Sequence, residues 1–142
     1  APDRAEIKHI LDDRRGWVSR GYRFIEVPTE TRPDVIIVAR TATYMDKRFT
    51  NPELKGLSVT VTYPGQQSII NIRQPNWRKP PHNFDGSRAL YRAYLIQHEM
   101  GHALGFGHQT PPPASHSPCP VMYQQSRGTK ARCVANPWIS IE

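Results

Sequence analysis

Along the chain, apolar side chains recur first at helical spacing and then at alternate positions. Ile7, Ile10 and Leu11 share one face of residues 3–16 (DRAEIKHILDDRRG), and Gly16 closes the run, which predicts an amphipathic helix. Residues 22–27 (YRFIEV) read as a short strand, and the β-branched run at residues 34–40 (DVIIVAR) as a buried one. The strongest β signal lies at residues 57–73 (LSVTVTYPGQQSIINIR). There Val59, Val61 and Tyr63 alternate with Ser58, Thr60 and Thr62, and Ile70 and Ile72 flank Asn71. Pro64-Gly65 between them supplies a turn, because Pro fixes φ and Gly accepts positive φ, so the segment predicts a hairpin or two neighbouring antiparallel strands.

Residues 74–86 (QPNWRKPPHNFDG) carry too many breakers for a regular element and are expected to form a loop. Residues 87–105 (SRALYRAYLIQHEMGHALG) return to helical spacing, with Leu90, Tyr91, Tyr94, Leu95, His98 and His102 near one stripe. Ser87 is placed to cap the N-terminus and Gly105 to stop the C-terminus. From His108 onward no period is sustained, and Pro111, Pro112, Pro113, Pro118, Pro120 and Pro137 predict an irregular tail. There is no internal repeat.

Length and composition fit one domain over residues 1–142, with 37% hydrophobic residues. No apolar run approaches the roughly 20 residues of a membrane helix. Ala1-Pro2-Asp3-Arg4 is polar and reads as a mature or trimmed start that leaves room for a targeting segment removed earlier. The formal net charge of +7 is spread along the chain, +2 in residues 1–50 and +5 in residues 51–142. Dispersed charge of this kind describes a solvated basic surface, with an acidic substrate or anionic surface as the alternative, and not a nucleic-acid arm. Cys119 and Cys133 are close enough in sequence to suit a disulfide, which implies an oxidising, extracellular-type compartment; two free thiols are the alternative.

The chemistry concentrates in residues 98–108, HEMGHALGFGH. Four helical residues turn about 400°, so His98 and His102 leave one face about 6 Å apart along the axis. Both imidazoles can then reach one cation. Glu99 is swung about 100° around the helix, beside that cation, where a general base acts on water. A continuing helix would carry His108 away, so a sharp turn at Gly105, with positive φ, is needed to return it as the third ligand. Three imidazoles with an open fourth position describe a catalytic zinc site, whereas structural zinc sites are closed. His9, His82 and His116 read as solvent or local hydrogen-bonding residues, with His116 the one placed to approach a cleft.

This string resembles the HExxHxxGxxH signature of the metzincin clan of zinc endopeptidases. Residues 119–125 (CPVMYQQ) resemble the clan's second mark, a Met-turn, with Met122 as a hydrophobic floor under the ligands and Tyr123 as a candidate lining residue. Arg14–Trp17 (RRGW), the spaced residues from Trp77 to His108, Cys119–Gln125 and Asn136–Trp138 (NPW) are together similar to a small actinobacterial family of metzincin-like proteins. The chain departs from the better-known branches at Gln109, which follows the third histidine, in a short stretch from His108 to Met122, and in offering no obvious helix after the Met-turn.

The resemblance implies an α+β fold. A twisted mixed sheet of about four or five strands and two main helices would form an upper part, residues 1–105. A small, irregular, disulfide-stapled lower part, residues 106–142, would carry His108 and Met122. It implies one catalytic zinc ion on His98, His102 and His108, with Glu99 as the base. The implied substrate is an extended peptide or protein paired with a sheet edge drawn from residues 57–73. A secreted monomer is the expected state. A non-peptide zinc amidohydrolase and a non-catalytic zinc-binding module are the other classes the residues allow, although Glu99 has no use in a purely structural site.

Overall fold

Nine consecutive residues of one helix, 93–101, are buried, which puts that helix at the centre of the molecule. The structure is a computed structural model that describes residues 2–110, 116–129 and 133–139. In chain order its regular elements are α1 (Arg4–Asp12), β1 (Val35–Arg40), α2 (Ala42–Arg48), β2 (Val59–Thr62), β3 (Ser68–Arg73), α3 (Gln74–Arg78) and α4 (Arg88–Ala103). The fold is α+β, as the sequence predicts.

The sheet is mixed, in the order β1-β3-β2, with β1 parallel and β2 antiparallel to β3. The hairpin expected from residues 57–73 is present, closed by a Tyr63 N–H to Gln67 carbonyl bond of 3.3 Å. Ile70 and Ile72 of β3 are fully buried in the core that also takes Tyr94, Leu95 and Ile96 of α4. Ile10 and Leu11 of α1 join the same core, as do Val121 and Met122 from the C-terminal segment. The two halves of the chain therefore share one interior.

The sheet is smaller than expected: three strands among the described residues, not four or five. Residues 22–27 do not pair as a strand. Tyr22 and Phe24 are half-buried and Arg23 and Ile25 exposed, so the alternation is real. Their partner is α1, however: Lys8 donates to the Phe24 carbonyl at 3.0 Å, and Arg4 pairs with Glu26. Among the described residues α1 and α4 are the two longest helices, and two shorter ones, α2 and α3, accompany them. α2 is capped by the Thr41 hydroxyl, which accepts from the Tyr44 N–H, and α3 forms in the breaker-rich stretch because Pro75 falls in its first turn, where its missing N–H is not needed.

The C-terminal segment has one isolated bridge, Pro118 with Val134, and the Cys119–Cys133 disulfide; both cysteines are buried. Among the described residues no helix is long and apolar enough to cross a membrane. Pro111, Pro112 and Pro113, to which the sequence assigns an irregular tail, lie outside the described residues.

Candidate metal centre

Gln97, His98 and Glu99 are buried side by side in α4, at a depth where each polar group needs a partner. Gln97 donates from its amide to the Ile10 carbonyl at 2.7 Å, and its own backbone carbonyl accepts from the Trp17 indole at 2.7 Å. His98 presents Nδ1 to the Val121 carbonyl at 2.7 Å. A carbonyl only accepts, so Nδ1 carries the proton and the Nε2 lone pair is left free. His102 repeats the arrangement with the Phe106 carbonyl at 2.9 Å. Both imidazoles are thereby fixed in the tautomer a metal ligand needs, oriented by a backbone acceptor.

Two turns supply those acceptors. The first ends α4. Gly105 takes φ +100°, its N–H bonds the His102 carbonyl at 3.0 Å, and the Phe106 N–H reaches back to the Gly101 carbonyl at 2.9 Å. This paired closure is a Schellman motif. It reverses the chain and brings His108 Nε2 to 3.0 Å from His102 Nε2. The second turn runs from Pro120 to Tyr123, closed by a 3.0 Å bond from the Tyr123 N–H to the Pro120 carbonyl, and presents the Val121 carbonyl to His98. The two turns are tied together where the Gln109 N–H bonds the Met122 carbonyl at 2.9 Å.

His98, His102 and His108 each offer a ring nitrogen, and the three atoms lie within 4.8 Å of one another. Two nitrogens bound at roughly 2.0–2.1 Å to one tetrahedral ion stand about 3.3 Å apart, close to the His102–His108 separation. Burial falls from His98 through half-buried His102 to exposed His108, so the cluster opens to solvent on the His108 side. Burial holds the His98 imidazole down to about 3, against the opposing Val121 bond; burial also lowers His102 and His108. All three are neutral at pH 7, as ligation requires. The donor set fits a metal ion.

Glu99 does not join the three nitrogens. Its carboxylate oxygen accepts from the Thr60 hydroxyl of β2 at 2.6 Å. Burial pushes the carboxyl up to about 7, while the Thr60 bond pulls the other way. Met122 is buried against Gly101 and Trp17, and a Cβ built on Gly101 would meet its sulfur at 2.4 Å. Tyr123 is half-buried and its hydroxyl donates to the Gly128 carbonyl at 3.4 Å. His9, His82 and His116 are exposed, and none belongs to the cluster.

A family model covers residues 4–139, nearly the whole chain. The chain belongs to DUF3152, a family described as proteins of unknown function. No curated protein and no solved structure matches it. The segments that set this DUF3152 chain apart in sequence meet in space. Arg15 lies over the Trp138 ring at 4.1 Å, and Gln125 exchanges bonds of 2.7 and 2.8 Å with the Asn136 backbone.

Three contributors to this site bear no mark of that role in the sequence. The Val121 and Phe106 carbonyls are main-chain groups, which every residue has, so no sequence signal marks them. Thr60 stood in plain view, on the polar side of the β2 alternation.

Proposed function

We propose that the chain is a zinc-dependent endopeptidase that hydrolyses peptide bonds of proteins or peptides. The observation that carries this reading is the convergence of three neutral imidazoles on one point while the adjacent Glu99 carboxylate is held apart from them by Thr60. A buried carboxylate next to a ligand, yet bonded elsewhere, suits proton transfer better than coordination. His98, His102 and His108 would hold the ion; when bound, zinc supplies a Lewis acid that polarises a carbonyl and acidifies water. The resemblance to metzincins and the turn at Pro120–Tyr123 support the same reading, with Met122 packed beneath the ligand helix.

The residues of this chain then do the following. β2 offers its outer edge to an extended peptide, which pairs with it as an added strand. Glu99 takes a proton from water, whose oxygen bonds the scissile carbonyl carbon. Glu99 passes that proton to the amine nitrogen as the carbon–nitrogen bond breaks. The Cys119–Cys133 disulfide supports action in an oxidising compartment such as the outside of the cell.

Peptide-library cleavage and bound zinc, measured on the same preparations, test this. Glu99→Gln should keep its zinc and lose about 10²–10⁴-fold in rate. His102→Ala should lose both zinc and activity. A Glu99→Gln protein that holds zinc and cuts within about tenfold of wild type sinks the mechanism. A wild type that holds zinc and cuts no peptide moves the assignment to a non-peptide amide or to a binding role.

A further inference from the structure

Thr60 occupies a place where two requirements of peptide hydrolysis meet. Its side chain faces α4, where its hydroxyl donates to Glu99 Oε1 at 2.6 Å and lies 3.3 Å from the Glu99 carbonyl oxygen. Its main chain faces the other way. In an antiparallel pair, hydrogen-bonded and non-hydrogen-bonded residue pairs alternate. Tyr63 bonds Gln67 through its N–H, and the register pairs Val61 with Ile69, Thr60 with Ile70 and Val59 with Asn71. Counting back by twos, Val61 and Val59 turn their N–H and C=O groups to β3. Thr60 and Thr62 therefore turn theirs outward. The 3.1 Å contact between the hydroxyls of Thr62 and Ser68 fits this phase, since side chains of non-hydrogen-bonded pairs sit closer. β2 is an edge of the sheet, and among the described residues no strand lies on its outer side.

We propose that Thr60 is a positioning residue that couples substrate docking to the general base: its peptide group pairs with the substrate strand, and its hydroxyl fixes the Glu99 carboxylate. This inference rests on the peptidase reading and adds a residue and a division of labour to it. The carboxylate of a glutamate rotates about its terminal torsion with little resistance, in a broad well. One short hydrogen bond to a β-branched residue, itself locked in a strand, removes that freedom and leaves the second oxygen for the proton. A substrate strand that pairs with Thr60 is thereby set beside a base whose orientation is already fixed.

The division of labour gives kcat and KM separate owners. Thr60→Val keeps the β-branched shape and the peptide group but deletes the hydroxyl. With zinc bound, and on a peptide that wild type cuts, it should lose about 10- to 100-fold in kcat, the worth of one hydrogen bond to a charged group. KM should stay within about threefold, because main-chain pairing is untouched, and zinc content should be unchanged. Thr60→Ser, which restores the hydroxyl, should recover kcat to within about threefold of wild type. Independently of turnover, the Glu99 carboxyl resonance in protein carrying 13C-labelled glutamate, assigned by its loss in Glu99→Gln, should move in Thr60→Val and return in Thr60→Ser. Thr60→Ala provides a second hydroxyl-free variant if Thr60→Val folds poorly, and should match its kcat. The inference is overturned if a folded hydroxyl-free variant keeps wild-type kcat, if Thr60→Ser is as slow as Thr60→Val, if KM rises in place of a fall in kcat, or if the Glu99 resonance does not move. A wild type that cuts no peptide overturns the peptidase reading and this inference together, whereas a cleaving wild type with an equally fast Thr60→Val overturns this inference alone.

Discussion

Gly101 shows how close the packing behind the ligand helix is. A Cβ there would stand 2.4 Å from Met122 Sδ and 2.8 Å from Trp17 Cζ2. The thioether can shift; the indole cannot follow easily, because its N–H is fixed on the Gln97 carbonyl at 2.7 Å. Alanine gains about 1 kcal/mol of helix propensity over glycine, and overpacking costs about 1–3 kcal/mol. Gly101→Ala should therefore lower stability by a net of up to ~2 kcal/mol, seen as a lower urea midpoint at unchanged slope. A second residue-scale expectation concerns acid. The Arg15 side chain, bonded to Asp13 at 2.9 and 3.0 Å, holds the Asp13 carboxyl below the usual carboxylate range. A depressed folded-state pKa stabilises above the unfolded value and is lost as pH falls through the folded one. Asp13→Asn should be less stable than wild type at neutral pH, and the gap should close as the solution is made more acidic than that range. Both partners are partly exposed, so the effect is small and salt-sensitive; urea unfolding across pH and ionic strength measures it.

At the scale of elements, α4 is the part most readily legible in sequence. Its cap at Ser87, its stop near Gly105 and its apolar stripe all follow from spacing and residue type, and the Ser87 hydroxyl does accept from the Leu90 N–H at 3.1 Å. The reversal at Gly105 was legible too, because His108 could not otherwise return. Its φ of +100° makes a test. Gly105→Ala has open space for its Cβ, so any cost is conformational: about 1–2 kcal/mol for the left-handed backbone. The substitution should also weaken metal binding, because His108 is placed by that turn, and zinc titration by calorimetry on the folded variant should show it. Residues 22–27 and α3 read less well. Alternation reports only that one side of a segment is covered, and at Tyr22 and Phe24 the cover is a helix and a tryptophan, not a neighbouring strand. The breakers around α3 are no obstacle to a single turn led by Pro75.

At the scale of the whole molecule, two cross-links constrain the C-terminal segment: the disulfide within it, and a metal ion that, when bound, ties His108 to α4. Reducing Cys119–Cys133, 14 residues apart in sequence, should cost about 3 kcal/mol, and a guanidinium titration of oxidised against reduced protein measures that loss. A metal that binds only the folded chain should raise stability with its concentration, by about 2.7 kcal/mol at one hundred times the dissociation constant. Chelation should remove this increment, and His102→Ala should not show it, both followed by thermal unfolding at graded free zinc. The disulfide also anchors the turn that bears Val121, so reduction should weaken metal binding through His98 as well.

The α+β class, the hairpin, the central helix with both its ends, the disulfide and the identity of the three clustered histidines are all legible in the order of the residues. These are matters of period, residue type and short spacing, which act within a few residues and survive without knowledge of the fold. The number of strands, the partner of residues 22–27 and the tautomers of His98 and His102 emerge only from the packed chain. So does the contact between Thr60 and Glu99, 39 positions apart. Each of these depends on which distant backbone atom or side chain comes within about 3 Å, a distance set by how the sheet, α4 and the C-terminal turn pack around one core.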